Sequence, residues 1–288
     1  MKVLFIVNPR SGIRRRGNAA ATIARNCPWE HSIAEAERKE DLDRIIADGV
    51  ANGCDLICAV GGDGTVHEVA RRLIGTELVL GVIPLGSGNG FARHIGLPMR
   101  IEHSLRSCLR GHSVTIDTGT VNGHPFLGTM GAGFDAWVAA EFAARGTRGF
   151  RTYVRTALGG FFSYRAERYE IEIDGTRTER RAMLVVVANA SQYGNNARIA
   201  PRASLQDGLL DVVAVERRSL MAAARLFHGS IDRAAGVSVE RGRHIEIRRA
   251  AAGPAHVDGE PVQLAATLVV DVVPQSLHVL VPERVRAV

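Results

Sequence analysis

Residues 61–68 read GGDGTVHE, set between the apolar run Leu56–Val60 and a helical pattern over Val66–Ile74. No other stretch constrains the fold as strongly. An apolar run followed at once by glycines and then by helical spacing requires a strand that turns tightly into a helix. The glycines let the backbone turn and approach a ligand with no Cβ in the way. The amides that open the helix form a site suited to phosphate. Asp63 would repel a bare phosphate unless a metal cation stood between them, so the loop points to a nucleoside triphosphate bound with Mg2+. The plain alternative is a strand-to-helix turn whose glycines serve geometry alone.

The first third of the chain repeats this alternation. Strand-like runs at Val3–Val7, His31–Ala36, Leu56–Val60 and Val79–Pro84 alternate with helical spacing near Asn18–Arg25, Asp41–Asn52, Val66–Ile74 and Ile101–Leu109. Such units predict an open, mostly parallel α/β sheet, whose ligands bind beyond the carboxyl ends of the strands. Three Gly/Ser/Asn loops follow three of those strands. NPRSG supplies Asn8, Ser11 and Gly12; GGDGT supplies its amides, Asp63 and Thr65; PLGSGN supplies Ser87, Gly88 and Asn89. Lys2 and Lys39 are the only lysines, and neither lies in a glycine-rich loop. A GxxxxGK[ST] phosphate loop and protein-kinase chemistry are therefore excluded.

From about Val114 the texture changes to short strand-like runs, Thr267–Val272 and Leu277–Val281 the last of them, separated by turn signals such as Asn122-Gly123, Asp174-Gly175, Asp207-Gly208 and Asp258-Gly259. Each Asx-Gly pair is a hairpin signal, and the series predicts an antiparallel sandwich with a boundary near Asp117. Helical insertions are expected at Ala136–Arg145, Phe150–Arg165 and Leu220–Asp232. The cysteines lack paired metal spacing, and Cys54 and Cys58 read as small hydrophobes on one face of a strand. No apolar run approaches the ~18 residues that span a bilayer, so a cytoplasmic protein is expected. The net charge of +6 suits an anionic partner. The arginines are scattered without a recognition motif, which sets nucleic acid aside.

NPRSG, GGDGTVHEV and PLGSGNGFARHIGLP, in that order, resemble the diacylglycerol kinase catalytic-domain family, which also includes sphingosine and ceramide kinases and bacterial relatives. The resemblance continues through GAGFDA (131–136), APRASLQDGLLDV (200–212) and HVDGEPV (256–262), and so covers essentially the whole chain. It implies an NAD-kinase/diacylglycerol-kinase-like architecture. An α/β nucleotide domain spans 1–117, with 274–288 returning to it, and a β-sandwich substrate domain spans 118–273. The active site would lie in the cleft between them.

The resemblance implies ATP held by Asn8, Pro9, Arg10, Ser11 and Gly12, by Gly62, Asp63, Gly64, Thr65, Val66, His67 and Glu68, and by Ser87 and Asn89. Glu37 falls where relatives often place a small hydroxyl near the adenosine. Asp207, with the carbonyls of Ser204 and Leu209, matches a structural Mg2+ position. Glu260 matches the general base, with Asp63 as the competing candidate. Asp135 is either a contact for the lipid head group or a cap on the following helix.

The activity so implied is transfer of the ATP γ-phosphoryl group to a lipid hydroxyl, on diacylglycerol or a related lipid, at the inner face of the membrane. Phe150–Arg165 joins Phe150, Tyr153, Phe161, Phe162 and Tyr164 with Arg148, Arg151, Arg155 and Arg165 close by. That segment either dips into an anionic interface or packs its aromatics on the sandwich. Two alternatives stand beside the lipid kinase: an NAD-kinase-like enzyme, and a regulatory nucleotide- or lipid-binding protein with little kinase activity. The acceptor lipid and the oligomeric state are not legible, and a homodimer stays open.

Overall fold

The computed structural model describes residues 2–11, 16–144, 150–161, 163–285 and 288. Two compact units divide the chain: Met1–Ile116 with Gln275–Val288, and Asp117–Pro274.

In the first unit, β1 (Lys2–Val7), β2 (Glu30–Glu35), β3 (Leu56–Gly61) and β4 (Val79–Pro84) pair in parallel in the order β2-β1-β3-β4. β1, β3 and β4 are buried along almost their whole length, which is why they read as unbroken apolar runs. Five helices accompany them: α1 (Arg16–Asn26), α2 (Asp41–Ala51), α3 (Asp63–Leu73), α4 (Gly90–His94) and α5 (Ile101–Leu109). α2 buries Leu42, Ile45, Ile46 and Gly49, the spacing of one helical face. α3 starts three residues before its apolar pattern. Thr65 and Val66 N–H both donate to Gly62 O, so the first turn is built from Asp63, Gly64 and Thr65. Cys54 lies ahead of β3 rather than within it, while Cys58 is inside; both are buried.

The second unit is a sandwich. It opens on β5 (His112–Val121), which enters from the first unit and turns into β6 (His124–Phe126) and then β7 (Thr129–Gly133). β8 (Glu167–Ile173), β9 (Thr176–Ala182), β10 (Leu184–Ala188), β11 (Leu210–Val215), β12 (Val237–Gly242), β13 (His244–Arg249), β14 (Gly253–Val257), β15 (Glu260–Leu264) and β16 (Thr267–Val281) follow. One antiparallel layer runs β9-β8-β13-β16, using the first part of β16. The other runs β12-β11-β10-β7-β14-β15. Alternate residues of both layers (Tyr169, Ile171, Ile245 and Ile247 from one; Val185, Val187, Val212 and Ala255 from the other) form a single core.

Asn122-Gly123, Asp174-Gly175 and Asp258-Gly259 are hairpin turns with positive φ at both residues. Asp207-Gly208 is not; it closes the loop that leads into β11, and only Gly208 has positive φ. β9 escapes the sequence pattern because TRTERRA is a charged, exposed edge strand. The runs Thr267–Val272 and Leu277–Val281, expected as two strands, are one: β16 continues through Pro274 and Gln275, the latter at φ 47°. Its final residues pair with β4 in the first unit, His278 opposite Val79 and Val279 opposite Leu80.

The insertions are α6 (Phe134–Ala144), α7 (Phe150–Phe161) and α8 (Leu220–His228), the last followed by a 3-10 turn at Ile231–Arg233. Phe134 stacks on Trp137 at 6.0 Å and meets Phe161 and Tyr164 edge-on at 6.3 and 5.5 Å. The aromatics at 161 and 164 therefore pack inside the unit. The side chains of Phe150, Arg151 and Tyr153, and residues Arg148 and Phe162, lie outside the described set.

Arg249, at the end of β13, fastens the β14–β15 hairpin. It donates through Nη1 to Pro254 O at 2.7 Å and through Nη2 to Gly253 O at 2.7 Å and Leu264 O at 2.8 Å. Burial lowers its pKa, yet the guanidinium stays charged and its donors are satisfied. Arg249→Met should lower unfolding free energy by about 2–3 kcal/mol, seen as a lower urea midpoint at unchanged slope. Arg249→Lys should recover only part of that loss.

Candidate active site

The three loops of the first unit come together at the carboxyl ends of β1, β3 and β4. Asn8 Nδ2 donates to Thr65 Oγ1 at 2.9 Å, and Asn8 Oδ1 accepts the Arg10 N–H at 2.8 Å, an Asx turn that shapes NPRSG. Ser11 Oγ lies 3.5 Å from Thr65 Oγ1 and accepts the Gly62 N–H at 3.4 Å. Asp63 joins the second loop to the third: Oδ2 accepts the Asn89 N–H and Oδ1 the Gly90 N–H, each at 2.7 Å. Those two amides open α4, so Asp63 caps a helix remote from it in sequence. The backbones of the two loops also touch. A Cβ on Gly86 would stand 2.7 Å from Gly62 Cα, and one on Gly62 would stand 3.2 Å from Gly86 Cα. Asn89 is buried in the left-handed region at φ 53° and donates through Nδ2 to Gly86 O at 2.8 Å.

Other candidates of this unit sit apart from that junction. Glu68 faces α2 and the loop before it. Lys39 Nζ reaches Oε1 at 2.8 Å, and Arg71 Nε and Arg72 Nη1 reach Oε2 at 2.7 and 2.9 Å. Arg72 also binds Asp43, through Nε at 2.7 Å. Burial of Glu68 disfavours its charge, but hydrogen bonds from Lys39, Arg72 and Arg71 outweigh burial and hold its pKa down at about 2. Val66 is buried; Pro9, Gly64 and His67 are half-buried; Arg10, Glu37 and Ser87 are exposed. Gly12 lies outside the described residues.

In the second unit Glu260 is exposed on the first residue of β15, just after the Asp258-Gly259 turn. That turn is clamped. Asp258 Oδ1 accepts the N–H groups of Gly128 and Thr129 at 2.7 and 3.0 Å, Oδ2 accepts Leu127 N–H at 2.9 Å, and Asp258 N–H donates to Thr129 O at 2.7 Å. Beneath it, Gly259 N–H donates to His256 Nδ1 at 3.4 Å, which leaves the proton on Nε2 to donate to Asp135 Oδ2 at 2.9 Å. Tyr193 OH donates to the same oxygen at 3.1 Å, and Asp135 Oδ1 accepts Ala136 N–H at 2.8 Å. Asp135 is thus buried with both oxygens engaged, one of them on the backbone of α6.

A family model described as "YegS C-terminal NAD kinase beta sandwich-like domain" matches residues 128–281, and one described as "Diacylglycerol kinase catalytic domain" matches residues 2–121. The chain belongs to the diacylglycerol kinase family, YegS type. Among its curated relatives, a protein of Pseudomonas putida named "Probable lipid kinase YegS-like" is 28% identical over 287 residues, 98% of this chain and 95% of the relative. One of the same name from Pectobacterium atrosepticum is 32% identical over 188 residues, so the match spans 63% of that relative's length and 63% of this chain. A crystal structure of a diacylglycerol kinase from Bacillus anthracis str. Sterne shares the fold, with a TM-score of 0.75 at 21% identity, covering 99% of this chain and 98% of that one.

In this YegS-type chain the Asp207 loop gathers Asp117, Asp207 and Asp211. Asp207 Oδ1 accepts Leu209 N–H at 3.1 Å and Oδ2 pairs with Arg241, whose Nε stands 3.3 Å from Asp211 Oδ1. Gly208 N–H donates to Asp117 Oδ2 at 2.7 Å. Burial, together with the Asp207 charge, raises the pKa of Asp211, and its Oδ2 is buried with no hydrogen-bond partner. Asp207 and Asp211 share the Arg241 guanidinium, and one Asp211 oxygen is left without a hydrogen bond. Among the described residues no three acidic, histidine or cysteine side chains converge at metal distance. A ligand set here would be one carboxylate and backbone carbonyls.

Sequence reasoning missed Lys39, Arg72, Asp43, Tyr193, His256 and Asp258 as members of these networks. Asp258 was visible only as half of a turn signal. His256 opens the HVDGEPV motif but meets a partner 121 residues away, and Lys39, Asp43, Arg72 and Tyr193 carry no motif and meet partners 29 to 58 residues away in the chain.

Asp63→Asn should place an amide N–H against a backbone N–H and cost roughly 1–3 kcal/mol, read from denaturant unfolding. For Glu68 the folded pKa is depressed. Its stabilisation is therefore full above the ordinary carboxylate value of 4.5 and is lost as pH falls toward 2. Thermal midpoints between those pH values should fall more steeply for the native protein than for Glu68→Gln.

Proposed function

We propose that the protein transfers the γ-phosphoryl group of ATP to the hydroxyl of a lipid, diacylglycerol or a close relative. The observation that carries this reading is the junction of three loops at the carboxyl ends of neighbouring parallel strands, tied by Asn8–Thr65 and by Asp63 to Asn89 and Gly90. Strand ends of this kind bind nucleotides, and the family match supplies the chemistry. Asn8, Pro9, Arg10, Ser11 and Gly12, the first turn of α3 from Gly62 to Val66, and Ser87 with Asn89 are the proposed ATP contacts. His67 and Glu37 are outer contacts. Glu68 acts through the orientation of α3, since its carboxylate is held by Lys39, Arg71 and Arg72.

Two features divide the labour between Asp63 and Glu260. Both Asp63 oxygens are engaged by backbone amides, which suits a positioning role and leaves lone pairs for water around a nucleotide-bound cation. Glu260 is exposed on a clamped hairpin, which suits acceptance of the hydroxyl proton as the phosphoryl group moves. Mg2+, when bound, neutralises phosphate charge. Asp207 with the carbonyls of Ser204 and Leu209 would hold a structural ion. Asp135 supports the hairpin from below, a use of its carboxylate that the hydrogen bonds favour over contact with a lipid head group. Among the described residues no helix is long and apolar enough to cross a membrane; in the proposed reading the acceptor lipid is met at a membrane surface.

Purified protein with Mg-ATP and a panel of diacylglycerol, monoacylglycerol, phosphatidylglycerol, sphingosine and NAD tests the reading. Label should appear on a lipid. Label on NAD alone overturns it, and ATP binding without transfer to any acceptor points to a regulatory binder. Glu260→Gln should lower kcat by ~10²–10⁴ with the KM for ATP unchanged.

A further inference from the structure

The described residues carry four exposed large hydrophobic side chains, and the three most exposed are on α8: Leu220 at 68%, Met221 at 66% and Phe227 at 50% exposure. Ala222 and Leu226 form the inner side of this helix, with Leu226 packed on the outer face of β10 and β11. Leu220, Ala224 and Phe227 fall on one outward stripe, with Met221 beside it, and all are exposed. A surface helix of a globular protein ordinarily turns charge toward water. α8 turns apolar side chains outward and contains no acid.

The rim of this patch is cationic. Arg217 and Arg218 precede the helix and Arg233 follows it, all exposed, and Arg225 lies within it. The nearby acids are already engaged: Glu216 pairs with Arg180 at 3.4 Å and Asp232 with Arg202 at 3.6 Å. Apolar tips ringed by arginines match the chemistry of an anionic bilayer surface. The tips enter the acyl boundary while the guanidinium groups meet phosphates.

A second copy of the chain fits less well. Two-fold pairing would bring together two copies of the same arginine-rimmed face. The face is also small, since nine residues make a helix about 14 Å long and a stable dimer buries roughly 800 Å² on each partner. The aromatic segment that the sequence offered for this role packs Phe161 and Tyr164 against Phe134 instead.

We propose that α8 docks the protein on anionic membranes, inserting Leu220, Met221 and Phe227 with Arg217 and Arg218 on the headgroup phosphates. The need for a membrane rests on the lipid-kinase reading, but docking is measurable without turnover. The experiment is co-sedimentation of the full chain with phosphatidylcholine vesicles, with and without phosphatidylglycerol. Binding should require phosphatidylglycerol. The triple variant Leu220→Ser/Met221→Ser/Phe227→Ser should lose at least about 100-fold in affinity with its unfolding midpoint unchanged or raised. Arg217→Gln/Arg218→Gln should lose roughly fivefold per arginine and flatten the salt dependence.

The triple variant should also turn over detergent-dispersed lipid as the native protein does, and vesicle lipid poorly. Native-like vesicle binding by the triple variant overturns the proposal. So does a native dimer in gel filtration that the triple variant dissolves while neither form binds vesicles; the patch would then be a contact between copies. If vesicle binding follows the variants but no lipid is phosphorylated, docking stands and the kinase reading falls.

Discussion

Gly86 approaches Gly62 so closely that a Cβ on Gly86 would collide with the Gly62 backbone, and the loops of the first unit are arranged around that approach. It brings the ends of β3 and β4 within reach of one carboxylate, Asp63, which then satisfies two amides of the third loop. Thr65, in the same first turn of α3, takes the Asn8 amide and so draws in the first loop. Each loop alone would be a flexible glycine-rich connection. Joined in this way they lose conformational freedom during folding rather than during ligand capture, which is the usual route to a preorganised site. The left-handed Asn89 is the visible strain that this arrangement tolerates.

The second unit solves the same problem with different means. A hairpin turn is a loop tip, and loop tips are ordinarily mobile. Here the Asp258 carboxylate takes three consecutive amides, Leu127 to Thr129, where β7 begins, Arg249 ties the strands of the hairpin to the end of β13, and His256 rests on Asp135. A carboxylate on such a tip keeps its exposure without its freedom.

Local patterns carried most of the architecture. Val79–Pro84 and Ile101–Leu109 are found at the expected bounds because their apolar spacing is strict and Gly or Pro punctuates their ends. The Asx-Gly hairpins were legible because positive φ leaves few residue choices. What escaped was non-local. TRTERRA became an edge strand through pairing with β8, without any apolar alternation of its own. Pro274 and Gln275 looked like a break in β16 and are only an irregularity within it. In the site, motif residues announced themselves by spacing, whereas Arg72, His256 and Tyr193 matter through partners that only folding brings near. Glu68 shows the limit from the other side: it lies inside the most recognisable motif, yet its carboxylate serves helix packing.

β16 has a consequence for biosynthesis. The neighbour that covers the outer edge of β4 is the last strand of the chain, so that edge stays unpaired while some 190 further residues are being made. The second unit, whose strands lie between Asp117 and Pro274, can assemble on the emerging chain first. The first unit, although begun earlier, completes its sheet only after Val279 has left the ribosome. The order of synthesis and the order of completion are reversed. The exposed edge of β4 is accordingly the segment of the nascent protein most in need of protection from pairing with other chains.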